Sequence, residues 1–215
     1  VETAAAAPVT IADPAPLGLA AFAMTTFVLS LFNANIYGAN LATVVLPLAL
    51  FYGGLAQLLA GMWEFRRGST FGALAFSSFG AFWLSFAAYV RFVGPLLPTA
   101  TAHQATGVFL MAWLIFTFYM TFAALRVNLA VTAVFVFLTL TYLFLCIGAL
   151  VPNTTMTKVG GGLGLATAAC AWYASFAGVM NGTWKRNIIP TWPTGVGAIS
   201  APARAAAAPA TPGGS

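Results

Sequence analysis

Six apolar stretches, each long enough to cross a lipid bilayer, constrain this chain more than any other feature. They run over residues 16–33, 41–62, 71–92, 107–125, 129–151 and 159–180. A helix needs about 20 apolar residues to span a hydrocarbon core of ~30 Å. None of the stretches shows the alternation of a barrel strand, and in lipid a lone segment pairs its backbone internally only as a helix. The expected fold is therefore all-α: an integral membrane protein with six transmembrane helices. Charge agrees, since only 5% of the 215 residues are charged, against about a quarter in soluble domains. Residues 1–12 are expected to be a disordered N-terminus, 13–190 the transmembrane domain, and 191–215 a disordered tail rich in Ala, Pro and Gly.

The few charges set an orientation. With the N-terminus inside, the inner segments carry Arg66, Arg67, Arg126, Lys185, Arg186 and Arg204, while the outer loops carry only Arg91 and Lys158. This satisfies the positive-inside rule, and an even number of spans puts both termini in the cytoplasm. The eight Lys and Arg form no basic stripe, so no nucleic-acid partner is expected. The partner that composition demands is membrane lipid. No basic flank precedes the first apolar run, so no secretory signal peptide is expected. Cys146 and Cys170 sit inside apolar runs and read as inert thiols.

Glycines recur where helices must touch, at Gly53, Gly54 and Gly61, at Gly72 and Gly80, and at Gly160, Gly164 and Gly178. A faint repeat links Ala81-Phe82-Trp83-Leu84-Ser85-Phe86-Ala87 to Ala171-Trp172-Tyr173-Ala174-Ser175-Phe176-Ala177, three spans later. Three is odd, so such halves would be inverted, as in many transporters. Chance likeness among Ala/Phe/Trp-rich helices is the competing reading.

Several chemistries are excluded. No lysine lies mid-span for a retinal Schiff base, one histidine cannot ligate several haems, and the only acids are Glu2, Asp13 and Glu64. No metal site, cofactor or enzymatic triad is expected. Glu64 and Arg91 read as span-end residues and His103 as a loop residue. With no buried carboxylate to carry a proton, the balance leans toward a channel. What remains is polar but uncharged, a lining suited to a weak acid or its anion. Thr26, Ser30 and Asn33 share a helix face, with Thr25 beside them. Their hydroxyls either bond back to the preceding turn or face a pathway. Gln57 is either a helix–helix hydrogen bond or a pore residue, and Ser77, Ser78 and Ser85 allow the same two readings.

The most distinctive run is Asp13-Pro14-Ala15-Pro16-Leu17-Gly18, where Asp13 can cap the first turn and prolines open the helix. Free N–H groups there offer an anion seat, or simply a helix start. Together with Phe51-Tyr52-Gly53-Gly54-Leu55-Ala56-Gln57, Ala60-Gly61-Met62-Trp63-Glu64, Gly68-Ser69-Thr70-Phe71-Gly72 and Ser78-Phe79-Gly80-Ala81-Phe82-Trp83-Leu84, it resembles the acetate uptake transporter (succinate–acetate permease) family. The resemblance implies a homohexameric ring of six-helix subunits, each with its own pathway for acetate and, in some members, succinate. It also implies a hydrophobic neck at Phe22, Phe79 and Leu138, with the small Ala169 adjoining it. Thr25, Thr26, Asn33, Tyr52, Gln57 and Ser78 are the candidate carboxylate contacts. The chain departs from the family signature in having Asp13 for Asn and Phe79 where Tyr is frequent. The expected function is transport of small carboxylates across the cell membrane, by an anion channel or a proton-linked permease. The alternative is a carboxylate-binding sensor without net transport.

Overall fold

The computed structural model describes residues 11–194. The expectations for residues 1–10 and 195–215, and the placing of Arg204, lie outside the described residues. Six helices are long and apolar enough to cross a membrane: Ala15–Asn33, Ala39–Arg67, Thr70–Leu96, Ala102–Ala124, Leu129–Leu150 and Thr154–Trp184. They are numbered here as the first to sixth spans. Long apolar side chains such as Ile115, Phe118, Phe122 and Val179 stand exposed on the outside of the bundle, where lipid is their natural neighbour.

The helix boundaries follow from local chemistry. Gly68, with φ of 83°, takes the left-handed turn that ends the second span, a conformation costly for any residue with a Cβ. Ser69 then caps the third span by accepting the Gly72 N–H at 3.1 Å. Asn128 accepts the Val131 N–H at 2.8 Å to start the fifth span, and Asn153 caps the sixth. The fourth span begins five residues earlier than the apolar run indicates. His103 is thus on a helix rather than in a loop, held by Ala149 O at 3.1 Å. The second span is not uniform: it opens in a 3₁₀ segment (Ala39–Val44) and widens into a π-helix over Phe51–Ala56.

Packing rests on small residues. The sixth span lies against the first and fifth, the fourth against the fifth, and the second against the third. Along the seam between the first and sixth spans, Gly161 meets the Asn33–Ala34 backbone, Gly164 meets Ser30, and Gly178 meets Pro16. Ser175 donates its hydroxyl to Pro16 O at 2.7 Å in the same seam. Without a hydrophobic force between helices in lipid, such close backbone approach supplies the van der Waals contact that holds them. The two seven-residue segments of the faint repeat bury different faces: Ser85 is exposed, whereas Ser175 is buried.

After the sixth span the chain turns back under the bundle. Asn181 accepts the Ile188 and Ile189 N–H groups and donates to Ile189 O. Leu129 N–H donates to Trp192 O at 3.0 Å, and Trp192 stacks on Tyr173. Residues 191–194, expected as part of the tail, are thereby tied to the start of the fifth span.

Candidate functional site

Two chambers sit in the bundle, end to end. The first, of about 410 Å³, opens at the end where the described chain begins and ends, since Asp13 and Thr191 both line it. The second, of about 330 Å³, lies toward the other end, between Asn33, His103 and Thr157. Phe22 and Leu138 line both chambers, and Phe79 lines the first. All three side chains are buried, and Phe22 and Leu138 lie where the chambers meet. The Phe22 and Phe79 rings are 5.6 Å apart at their centroids. Phe79 is braced by Phe116 at 5.4 Å and Phe135 at 6.0 Å, edge-on or tilted, as aromatic quadrupoles prefer. Phe116, half-buried, packs behind Phe79.

The polar residues singled out from sequence divide into two groups. Thr26, Ser30 and Asn33 line the second chamber together, and Gln57 lines the first. Thr25, Tyr52, Ser78 and Ala169 line neither. Thr25 donates back to Ala21 O at 2.9 Å and fills the space beside Gly53, so its hydroxyl is spent inside its own helix. Tyr52 and Ser78 are half-buried at helix flanks, and Ala169 is exposed. The small residues that the sixth span turns to the aromatic core are Ala171 and Ala174.

The signature run is a helix start: Ala15 N–H donates to Asp13 Oδ1 at 3.0 Å, which takes up the first free donor of the proposed anion seat. Asp13 also forms an ion pair with Arg67 at the end of the second span. The negative charge that Asp13 brings is thus met by a cation at the mouth of the first chamber. Pro14, Ala15, Pro16, Leu17 and Gly18 shape the same turn, and Gly18 leaves room for the Phe76 ring.

Glu64 is the main correction. Read from sequence as a span-end residue, it is only 2% exposed and lines the first chamber. It fits because Gly72 has no side chain: a Cβ there would stand 2.6 Å from the Glu64 carboxyl carbon. Its Oε2 has no hydrogen-bond partner, nor has Oε1 of Gln57, itself 1% exposed. At the second chamber, Thr26 Oγ1 and Trp83 Nε1 are likewise buried without partners. A buried polar group left unpaired costs roughly 1–3 kcal/mol, and a charge more. Four such groups face the two chambers, two on each side. Sequence reading missed Glu64 and Trp83. The signal was present for Trp83, because an indole N–H within a span needs an acceptor.

Comparison with known proteins agrees with this architecture. A family model described as the GPR1/FUN34/yaaH family matches residues 1–194. Accumulation of dyads protein 2 of Saccharomyces cerevisiae is 46% identical over 78% of this chain and 61% of its own length. Acetate permease A of Emericella nidulans is 43% identical over 83% of this chain and 65% of its own. The chain therefore spans less than two thirds of the length of those fungal relatives. The Succinate-acetate/proton symporter SatP of Escherichia coli is 37% identical over 84% of this chain and 95% of its own. A solved structure of the bacterial acetate channel SatP superposes with a TM-score of 0.79, at 37% identity, over 85% of this chain and 99% of that one. The chain is a multi-pass membrane protein with six spans among the described residues, and it belongs to the GPR1/FUN34/yaaH family.

Proposed function

We propose that this chain moves acetate and related small carboxylates, succinate among them, across the cell membrane through the two chambers and the neck between them. One observation carries the reading: Phe22 and Leu138 face both chambers, so an apolar partition separates two polar vestibules, each with unpartnered polar atoms. Such a partition resists a hydrated ion, while stations on either side receive the carboxyl group and the methyl slides past Phe22 and Phe79. Relatives named as an acetate permease and as a succinate-acetate/proton symporter support the choice of substrate. The protein is a transporter and not an enzyme.

The first chamber faces the cytoplasm in this reading. Arg66, Arg67, Arg126, Lys185 and Arg186 lie at its end, against Arg91 and Lys158 at the other. Subunits assemble as a homohexameric ring, for which the outer apolar surface offers small residues, Gly162 and Ala169, on one face of the sixth span. Ala169 is better suited to a contact between subunits than to the neck. An inverted relation between three-span halves has the 90-residue offset in its favour and the unlike burial of Ser85 and Ser175 against it.

The test is uptake of labelled acetate into proteoliposomes, net of protein-free vesicles. Uptake above background that saturates with acetate is the expected result. Binding of acetate without net uptake would leave a carboxylate sensor instead.

A further inference from the structure

The unpartnered groups on the two sides of the neck differ in kind. Trp83 Nε1–H in the second chamber can only donate, and so suits a carboxylate. Glu64 in the first chamber, when ionised, can only accept. A naked carboxylate beside it would bring two negative charges into one buried site. The other titratable groups lining that chamber are Asp13, from the start of the first span, and Arg67, on Glu64's own span. These two form an ion pair with each other. The third span presents Ser69 and Gly72, and the fifth and sixth present Asn128 and Asn181, all neutral. Arg67 is shared between Asp13, which it contacts, and Glu64, three residues before it on the same span. Ser69 stands beside the carboxyl, and Oε2 still has room for one more hydrogen-bond donor, which a protonated substrate can supply.

We propose that Glu64 is the proton-binding group of the pathway, receiving a proton from a carboxylic acid that has crossed the neck in neutral form. The O–H bond of the acid breaks, its electron pair stays on the departing carboxylate, and a new O–H bond forms on Glu64. The total charge of the pair is −1 before and after. Glu64 then releases the proton to water at the chamber mouth, and the net movement is one carboxylate with one proton. Gln57, on the same face and two turns deeper, about 10 Å along the helix axis, is the station the acid meets first. The inference rests on the transport reading above.

The experiment uses the full chain in liposomes loaded with a pH-sensitive dye. Labelled acetate uptake and internal acidification are recorded together, net of protein-free vesicles, under an imposed proton gradient and, separately, under an imposed potential. The wild type is expected to respond to the proton gradient with matched acidification. Glu64→Gln, near-isosteric and without a titratable group, is expected to lose about tenfold or more of the proton-driven rate. Glu64→Asp is expected to recover part of it. Thermal unfolding in detergent checks that both variants are folded. A folded Glu64→Gln with wild-type proton-driven uptake and acidification overturns the proposal, as does a folded Glu64→Asp that recovers nothing when Glu64→Gln is inactive. Wild-type acetate uptake without any proton dependence overturns the role of Glu64 alone. Absence of wild-type uptake removes the transport reading itself, and this inference with it.

Discussion

The two chambers are similar in size and share two walls, yet they are chemically unlike. The first holds a buried acid, an ion pair at its mouth and a carboxamide at its depth. The second holds hydroxyls, an indole N–H and one imidazole, and no acid or strong base. Hydroxyl and N–H donors seat an anion without a fixed charge to hold it. In the proposed mechanism the acidic chamber takes the same anion only with a proton. On the proposed pathway, the apolar neck divides a region that favours the carboxylate from one that favours the acid.

The largest effect expected on that division comes from the partition itself. Leu138→Trp, which adds bulk where both chambers meet, should lower acetate uptake about a hundredfold, a barrier increase of ~2.7 kcal/mol. A folded variant with unchanged uptake would place the path elsewhere. Next is the donor side. Trp83→Phe keeps the ring and removes the N–H, and should raise the half-saturating acetate concentration about tenfold, as for loss of a hydrogen bond to a charged group. The acceptor-side mouth follows. Arg67→Gln leaves Asp13 without its cation and should slow uptake about fivefold at low salt, the effect shrinking as salt screens this half-exposed pair. Adding Asp13→Asn should restore the rate, and a double-mutant cycle of uptake rates would measure the coupling. The smallest effect belongs to Phe79→Tyr, which adds a hydroxyl to the neck and should change flux about two- to threefold. Phe118→Tyr on the lipid-facing side should change nothing.

Much of this was legible in the residues. Six spans follow from apolar length alone, and the caps at Ser69, Asn128 and Asn153 follow from side-chain chemistry. The shared face of Thr26, Ser30 and Asn33 follows from helical period, and all three line one chamber. The neck triad came from family resemblance, since spacing cannot show that Phe22, Phe79 and Leu138 converge from three helices. Glu64 was hidden because its neighbours Arg66 and Arg67 read as an interfacial end. The absence of a Cβ at Gly72, across the helix turn, leaves the room in which the carboxyl sits. Thr25 and Thr26 differ by one position, yet one spends its hydroxyl on its own helix and the other faces a chamber. Rotation of a helix about its axis decides such cases, and tertiary packing sets that rotation.

Cysteine accessibility tests the partition most directly. In a background of Cys146→Ala and Cys170→Ala, Gln57→Cys and Thr26→Cys each place one thiol on either side of the neck. A membrane-impermeant thiol reagent, added to one face of oriented vesicles at a time, should label the first only from the face carrying Arg66 and Arg67 and the second only from the opposite face. Labelling of both positions from the same face would contradict the account.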